Sequence, residues 1–331
     1  MKGYQPHSML VTGGAGFIGA NFIRHVLTSD PTIKIINLDK LTYAGSLDNL
    51  KNLPNPDNHH FIQGDICDTH LVRHVMMHHH IDTIVHFAAE SHVDRSITGP
   101  AAFVETNVSG TFTLLEAARH HWIDVEECDL TERRFHHIST DEVFGSLSLN
   151  DPPFTELTPY RPRSPYSASK AGSDHLVNAY HHTYHLPITI SNCSNNYGPH
   201  QHAEKFIPTI IRSCLAGKPI PIYGKGKNIR DWLYVEDHCR GIMQIIKHGK
   251  TGESYNLGGN NEWENIALAR FICEKLDKPQ LLQFVIDRPG HDFRYAIDST
   301  KAKRELGWEP QETFETGIEK TIKYYMATSS W

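Results

Sequence analysis

Short runs of β-branched residues alternate with longer stretches of helical periodicity over the first two-thirds of this chain, and this alternation limits the fold more than any other feature. Strands are predicted over 9–12, 33–38, 61–62, 83–87, 135–139 and 188–191. Helices are predicted between them, over 17–27, 101–119 and 165–184. Such alternation indicates a parallel sheet with right-handed crossovers and helices on both faces. The expected fold is α/β, with a doubly wound, Rossmann-like sheet.

The pattern changes after about residue 192. The stretch 195–199 is rich in turn-forming residues. Short strands and helices then mix, at 221–223, 236–248, 254–257, 264–276 and 314–326. We expect a first domain over 1–192 and a smaller C-terminal α/β region over 193–331, which can interleave with the first.

Composition excludes several classes of function. The formal net charge of −6 over 331 residues provides no basic surface for nucleic acid or for an anionic membrane. No run approaches the roughly 18 apolar residues of a membrane helix, and residues 1–8 lack the apolar region of a signal peptide. The six cysteines form no C-x-x-C pair, so neither a zinc site nor a disulfide framework is indicated. A cytoplasmic protein is expected.

The 24 histidines invite a metal-binding interpretation. They cluster at 78–80 and around 181–185, but no H-E-x-x-H motif occurs. A ligand set also needs converging acidic or thiol partners. We therefore predict solvated histidines and no metal site.

A glycine-rich run follows the first predicted strand and opens the first helix. Gly13, Gly16 and Gly19 form G-x-x-G-x-x-G, which lets the backbone turn tightly and approach a pyrophosphate at the helix N-terminus. Asp39 ends the second strand, 20 residues after Gly19, where a carboxylate accepts hydrogen bonds from ribose hydroxyls. That carboxylate would repel a 2′-phosphate, although Lys40 beside it could partly offset the repulsion. The pattern favours NAD over NADP; the alternative is a purely structural turn.

Tyr166 and Lys170 lie four residues apart, on one face of a predicted helix. A free tyrosine has a pKa of about 10 and is a poor base at neutral pH. A nearby ammonium group and a positive nicotinamide ring would favour the phenolate. Lys170 could also hold the cofactor ribose. In isolation the pair would be surface decoration, but here it follows a dinucleotide motif and a strand ending in Ser139-Thr140.

Two acids, Asp141 and Glu142, follow Thr140 directly at the end of that strand. A simple dehydrogenase needs only the hydroxyl, the tyrosine and the lysine. Two further acids therefore indicate another step, such as proton removal coupled to loss of water. The alternative interpretation is a helix or turn cap.

Several runs, taken in this order, resemble the extended short-chain dehydrogenase/reductase family and, within it, the dTDP-glucose 4,6-dehydratases. The resemblance covers nearly the whole chain, and its most specific runs are 39–45, 88–96, 139–143, 192–199, 229–232 and 287–292. It implies an NAD-binding domain over 1–192 and a substrate-binding region over 193–331. It also implies a homodimer formed through helices 101–119 and 165–184, unless those helices are covered within one subunit.

The resemblance implies a cycle on dTDP-glucose that yields dTDP-4-keto-6-deoxyglucose, a precursor of deoxysugars such as rhamnose. Tyr166 would remove the C4 hydroxyl proton, oriented by Thr140, while hydride passes to NAD. Glu142 would then remove the C5 proton, and Asp141 would protonate the departing C6 hydroxyl. Hydride would return to C6, which regenerates NAD.

The same resemblance assigns the binding residues. For NAD they are Gly13, Gly16, Phe17, Ile18, Gly19, Asp39, Lys40, Leu41, Thr42, Asp65, Ile66, Phe87, Ala88, Ala89, Ser91, Thr106, Tyr166, Lys170 and Asn196. For the substrate they are Ser91, Thr140, Asn195, Lys205, Phe206, Pro221, Ile222, Tyr223, Arg230, Asn265, Asp287, Arg288 and His291. A salt bridge with Asp231 is the alternative role of Arg230, and core packing that of Ile222.

The chain departs from the family pattern at three places. Phe144 stands where tyrosine is common, and Ala20 where serine is common; we expect both changes to matter little. The segment 199–206 lacks the usual aromatic and proline residues, which leaves nucleotide choice the least secure expectation.

Three rival functions stay open. They are a dehydratase of a CDP-, UDP- or GDP-hexose, an epimerase or decarboxylase on the same scaffold, and a catalytically silent NAD-binding regulator. An epimerase has no use for the acid pair, and a silent regulator predicts a damaged Thr/Tyr/Lys set.

Overall fold

A computed structural model describes residues 3–328, and its largest element is a seven-stranded sheet in which all neighbouring strands run parallel. In spatial order the strands are Ser254–Leu257, Ile188–Cys193, Arg134–Thr140, Thr83–His86, Ser8–Thr12, Lys34–Asp39 and His59–Gln63. The chain starts in the interior of the sheet and winds outward in both directions. The predicted doubly wound α/β fold is confirmed.

Helices cover both faces of the sheet. The α-helices are Phe17–Ser29, Thr69–His78, Val93–Thr98, Ala101–Phe103, Thr111–Arg119, Pro165–Tyr184, Phe206–Ala216, Val235–His248, Asn265–Lys275, Thr300–Leu306 and Phe314–Ala327. Wider helical turns, Val104–Gly110 and His120–Val125, make one continuous helical stretch of 101–125. Short 3₁₀ turns are Leu47–Leu50, Pro56–Asn58, Leu130–Glu132 and Asp141–Phe144.

The first helix shows how sequence spacing sets the packing. Phe22, Ile23, Val26 and Leu27 recur at three- and four-residue intervals and are fully buried. They join one apolar cluster with residues of the helix Val235–His248. A second cluster lies on the opposite face of the sheet. Burial of each large apolar side chain contributes about 1.5–3 kcal/mol, so both faces hold the sheet rigidly.

The C-terminal region builds two small sheets and then returns to the large one. Glu262–Glu264, Ile229–Tyr234 and Asn195–Tyr197 form one, and Leu282–Val285 pairs with Ile220–Tyr223 in the other. Meanwhile Ser254–Leu257 pairs with Ile188–Cys193 in the large sheet. The two predicted regions therefore interleave. Their division at residue 192 stays a prediction, and its outer limits, 1–2 and 329–331, lie outside the described residues.

The predicted elements are present, with shifted ends. The helix Pro165–Tyr184 has the predicted limits because Ser164 caps its N-terminus in a capping box and proline follows at the first helical position. The third strand, expected as a two-residue start, extends over His59–Gln63 because its backbone pairs with Lys34–Asp39. In residues 3–328 no helix is long and apolar enough to cross a membrane.

The fold gathers the predicted site residues at one edge of the large sheet. Parallel strands present their carboxyl ends on the same side, where α/β proteins bind ligands. Thr12 leads into the glycine turn, His86 into 87–91, Thr140 into the acid pair and Cys193 into 194–197. Residues far apart in sequence therefore meet there.

Candidate active site

The glycine turn leaves no room for larger side chains. Gly13 has a φ of 72°, and a Cβ on it would lie 2.6 Å from the Ala88 backbone nitrogen. A Cβ on Gly19 would lie 2.4 Å from the Gly13 carbonyl oxygen. Gly13 therefore lets two strand ends approach each other, and Gly19 lets the helix approach the turn.

Asp39 joins the turn to the next loop. Its carboxylate accepts hydrogen bonds from the backbone N–H groups of Ala15 at 2.9 Å and Leu41 at 2.8 Å. The neighbouring Lys40 ammonium group lies 2.6 Å from the Asp65 carboxylate. Because Lys40 is paired with Asp65, the net charge of the pair is close to zero. The pair therefore does little to offset the repulsion between Asp39 and a 2′-phosphate.

A cavity of about 380 Å³ extends from the glycine turn to the end of the strand Arg134–Thr140. Of the predicted cofactor residues, all but Leu41 line it. Leu41 instead adopts a φ of 56° and acts through its backbone N–H on Asp39.

The acid pair begins a short 3₁₀ turn, Asp141–Phe144, directly after the strand. Thr140 caps this turn, since its hydroxyl accepts the Glu142 N–H at 3.3 Å. The Thr140 hydroxyl also donates to the Asp141 carboxylate at 3.4 Å. The threonine thus performs the capping that was the alternative role of the acids, and both carboxyl groups line the cavity.

Asp141 and Glu142 differ in the nearby charges that shift their pKa values. Burial raises the pKa of Asp141 well above its usual value, and the charges of Glu142 and Asp231 raise it further. Burial also raises the pKa of Glu142, but the guanidinium groups of Arg288 and Arg230 oppose that shift. Asp141 is therefore suited to donate a proton and Glu142 to accept one.

Tyr166 and Lys170 reach the same cavity from the helix Pro165–Tyr184. Burial raises the pKa of Tyr166 well above 10, and the charge of Glu142 adds to the shift. The Lys170 ammonium group donates to the Ile138 carbonyl oxygen at 2.7 Å. The prediction that this ammonium and a positive nicotinamide ring together favour the Tyr166 phenolate concerns the protein with its cofactor bound, and it stays a prediction.

A second cavity, of about 980 Å³, opens beside the first and shares Ser91, Glu142, Asn195, Asn196, Gln201 and Lys205 with it. Eleven of the predicted substrate residues line it: Ser91, Asn195, Lys205, Phe206, Pro221, Ile222, Tyr223, Arg230, Asn265, Arg288 and His291. Of the other two, Thr140 lines the first cavity. Asp287 stands behind His291, with its carboxylate 2.6 Å from the imidazole Nδ1.

The structure decides between the alternative roles of two substrate residues. Arg230 donates to the carbonyl oxygens of Asp292 at 2.9 Å and Ile229 at 2.7 Å, whereas Asp231 accepts from the Gly259 and Asn261 N–H groups. Both side chains therefore bond to backbone groups and not to each other, unlike in an Arg230–Asp231 salt bridge. Ile222 is fully buried in the core below the cavity, so core packing is its main role.

The histidine clusters have no arrangement suited to a metal. Within residues 3–328 no group of three or more His, Cys, Asp or Glu side chains could hold an ion. Five other histidines are buried, namely His86, His121, His136, His137 and His238, so the prediction of solvated histidines is wrong for these five. Their strand and helix positions turn them into the core.

Comparison with known proteins places this geometry in a family. A family model described as GDP-mannose 4,6 dehydratase matches residues 10–321. A dTDP-glucose 4,6-dehydratase of Escherichia coli is 53% identical, over 98% of this chain and 94% of that protein. One from Haemophilus influenzae is 50% identical, over 98% of this chain and 99% of that protein. The chain belongs to the dTDP-glucose 4,6-dehydratase family, within the extended short-chain dehydrogenase/reductases.

Solved structures of this dehydratase family have the same architecture. The enzyme of Streptomyces venezuelae, solved with NAD bound, is 44% identical with a TM-score of 0.90, over 96% of this chain and 97% of that one. The UDP-glucose 4-epimerase of Thermotoga maritima, solved with UDP-glucose, is 27% identical with a TM-score of 0.85, over 98% of this chain and 100% of that one. The fold is thus shared by dehydratases and epimerases, and the side chains distinguish them.

Several cavity residues of this dehydratase-family chain were absent from the predicted set. Cys193 lines the first cavity and Asp94 the second. Both lie within the runs 192–199 and 88–96 that resemble the family, so the sequence offered a reason to include them. Tyr295 lines the second cavity and hydrogen-bonds to Asp292 at 2.5 Å. The strand Leu282–Val285, which contributes Phe284, follows no clear alternation and gave no signal.

Two positions where this chain departs from the dehydratase-family pattern, Phe144 and the segment 199–206, differ in how close they lie to the two cavities. Phe144 is buried, with its ring 5.2 Å from those of Phe154 and Tyr160. The segment 199–206 supplies Gln201 and Lys205 to both cavities. A missing hydroxyl at residue 144 therefore affects packing, whereas changes in 199–206 affect the site itself.

Proposed function

We propose that this protein is a dTDP-glucose 4,6-dehydratase, a hydro-lyase that converts dTDP-glucose into dTDP-4-keto-6-deoxyglucose and water. The observation that carries the proposal is the acid pair, a buried Asp141 and a half-buried Glu142, at the point where a dinucleotide cavity meets a second, larger cavity. Relatives at 50% and 53% identity carry this enzyme's name.

The first cavity suits NAD. The close contacts that a Cβ would make at Gly13 and Gly19 are those of a turn built for a pyrophosphate, and Asp39 has carboxylate lone pairs left for ribose hydroxyls. When bound, NAD would supply the hydride acceptor at C4, the hydride donor at C6 and a positive charge that favours the Tyr166 phenolate. Lys170 would hold the nicotinamide ribose, and Asp65 and Ile66 the adenine end.

Oxidation at C4 needs a base at its hydroxyl. Tyr166 removes this proton, and Thr140 beside it orients the hydroxyl through its own hydroxyl group. The new C4 ketone makes the C5 proton acidic. Glu142 then removes that proton, since Arg288 and Arg230 help to keep its carboxylate ionised.

Elimination needs an acid at the C6 hydroxyl. Asp141, whose pKa is raised well above its usual value by burial and two nearby carboxylates, donates a proton to the departing hydroxyl, which leaves as water. Glu142 then returns its proton to C5. Over one cycle Tyr166 gains a proton and Asp141 loses one, so a proton must leave Tyr166 and reach Asp141 before the next turnover.

The second cavity would hold the nucleotide diphosphate. Arg230, Arg288 and Lys205 are its cations, and guanidinium groups pair well with phosphate oxygens. Pro221 and Tyr223 project from one strand toward the base. An epimerase also needs the tyrosine and NAD but has no use for an acid that expels the C6 hydroxyl, so Asp141 favours dehydration.

Two finer features belong to the proposal. A homodimer is supported by the exposed side chains of Val104 and Phe112 on the helical stretch 101–125 and of Tyr184 on the neighbouring helix. A cytoplasmic location is supported by the free thiols of all six cysteines, which suit a reducing compartment. The division into an NAD-binding part, 1–192, and a substrate-binding part, 193–331, also belongs to the proposal. Each cavity takes residues from both parts, such as Asn195 in the first cavity and Ser91 in the second.

The test is incubation of the purified protein with dTDP-glucose and NAD, without added reductant. We expect a 4-keto-6-deoxy product that absorbs in the near ultraviolet in alkali. CDP-, UDP- and GDP-hexoses, run in parallel, are the controls. Turnover of one of these but not of dTDP-glucose would contradict the substrate assignment, and conversion to a C4 epimer would contradict dehydration itself.

A further inference from the structure

Three ionisable side chains form a buried row behind the nicotinamide end of the site, and the reaction above uses only the first of them. Lys170 is followed by His137 and then by Asp174, and at most 4% of each residue is exposed. The Lys170 Nζ lies 3.4 Å from the His137 Nε2, and the same Nε2 lies 3.1 Å from an Asp174 carboxylate oxygen. Burial of three such groups is costly unless they compensate one another.

The carboxylate of Asp174 is held in a fixed orientation. One oxygen accepts hydrogen bonds from the Ser139 hydroxyl at 2.6 Å and the Tyr160 hydroxyl at 3.0 Å. Its other oxygen faces His137. Since Asp174 follows Lys170 by one helical turn, both side chains project from the same face toward the strand that carries His137.

This arrangement selects one tautomer of the imidazole. We assign the proton to Nε2, which lies 3.1 Å from an Asp174 carboxylate oxygen, the strongest acceptor near it. Nε2 then cannot also accept a hydrogen bond from Lys170 or from the Ser173 hydroxyl, 3.4 Å away. The ammonium group has three donors and uses one on the Ile138 carbonyl oxygen at 2.7 Å. Its other donors therefore stay available to the cofactor cavity.

The groups that face Lys170 come from several elements. His86 and His137 face it from neighbouring strands, Cys193 from a third, and Asp174 from its own helix. Burial lowers the pKa of Lys170, and the Asp174 charge is the largest opposing influence. Burial and the Lys170 charge together lower the pKa of His137 to about 4, so the imidazole is neutral at pH 7.

We propose that Asp174, acting through His137, is the positioning residue of the catalytic lysine: it supplies the buried countercharge that keeps Lys170 protonated and leaves its free donors directed at the cofactor. The proposal rests on the proposed function, because it assigns Lys170 to cofactor binding. Neither His137 nor Asp174 touches substrate or cofactor in this scheme.

The test is the pH profile of kcat for Asp174→Asn. Lys170 must be protonated, and loss of the neighbouring carboxylate lowers its pKa further. Activity should then disappear at lower pH as the pH rises, with the alkaline limb displaced by about one pH unit or more, and kcat at neutral pH should fall at least about tenfold. The matched control is Tyr160→Phe, which removes one hydrogen bond from the same carboxylate but leaves its charge, and should leave the limb in place.

Other outcomes separate this role from a structural one. An Asp174→Asn protein that folds but loses activity equally at every pH would overturn the proposal. If Asp174→Asn does not fold, His137→Gln replaces it, since it keeps both charges and removes only the bridge; kcat should fall without a change in KM, and wild-type kcat would again overturn the proposal. NADH affinity, titrated over the same pH range, should shift with Asp174→Asn whichever sugar is accepted. A failure of the proposed substrate assignment can thus be distinguished from a failure of the role proposed for Asp174.

Discussion

Asp141 and Glu142 are adjacent in sequence, and both carboxyl groups lie in surroundings that raise their pKa by burial. They differ in which charges face them. For Asp141 the charges of Glu142 and Asp231 raise the pKa and outrank the opposing Arg230, whereas for Glu142 the guanidinium groups of Arg288 and Arg230 lower it and outrank the opposing Asp292. Two chemically similar groups are therefore suited to opposite roles.

This difference predicts the effect of Arg288→Gln on the pH profile. Glu142 must be ionised, so activity falls as the pH falls through its pKa. Loss of the Arg288 charge raises that pKa, and the acid limb of kcat should move to higher pH. The measurement is kcat at saturating substrate, because weaker binding of the diphosphate raises KM as well. An unmoved acid limb would show that another group controls it.

Glu142→Gln should stop the cycle halfway. The amide cannot remove the C5 proton, so kcat should fall at least about 100-fold. The C4 oxidation precedes that step, and bound NADH should accumulate on mixing with dTDP-glucose, followed by its absorbance. Dehydration at the normal rate would show that the base is a different residue.

Tyr166→Phe should stop the cycle earlier. The phenyl ring keeps the packing but has no hydroxyl to accept the C4 proton, so NADH should not form at all. The contrast with Glu142→Gln separates the two steps in one spectroscopic experiment. Normal NADH formation in Tyr166→Phe would refute the role of the phenol.

At the scale of elements, the glycine turn predicts a loss of cofactor binding. In Gly19→Ala the new Cβ would lie 2.4 Å from the Gly13 carbonyl oxygen and 2.8 Å from the Gly14 Cα, and these backbone atoms can move only if the turn deforms. We expect NAD affinity to fall at least about tenfold, which corresponds to about 1.4 kcal/mol. Gly99→Ala, whose new Cβ meets its nearest atom at 3.8 Å, is the control and should bind NAD normally. NAD titration of both variants measures the difference.

At the scale of the whole molecule, a buried histidine makes folding sensitive to acid. His238, on the helix Val235–His248, lies with its Nδ1 2.9 Å from the Asn196 side-chain oxygen. Burial lowers its pKa to about 3, against about 6.5 in an unfolded chain. The His238 imidazole therefore binds a proton less readily in the folded state than in the unfolded state. The free energy of unfolding falls progressively as the pH drops from about 6.5 toward the pKa of the folded state.

Replacement of this histidine should weaken that dependence. In His238→Gln the amide can still donate to Asn196 but cannot titrate. The fall in the free energy of unfolding between about pH 7.5 and 5 should be smaller than in the wild type, by up to about 1.4 kcal/mol for each pH unit below 6.5. His182→Gln, at an exposed position, is the control and should keep the wild-type slope. Equal slopes in all three proteins would contradict the prediction.

The sequence by itself determined the fold class and indicated the candidate catalytic set. The strand–helix alternation, the glycine turn and the pair Tyr166 and Lys170 are local patterns, and local patterns are set by backbone sterics and hydrogen bonding that neighbouring residues supply. The adjacency of Thr140, Asp141 and Glu142 likewise needed no tertiary information to indicate a second chemical step.

The tertiary structure decided what depends on distant residues meeting. Which acid is suited to donate a proton follows from Asp231 and Arg288, which lie far along the chain from the pair. The raised pKa of Tyr166 follows from burial, and the row from Lys170 to Asp174 follows from the strand that places His137 between them. Electrostatic effects depend on distance in space and on desolvation, neither of which the order of residues reveals.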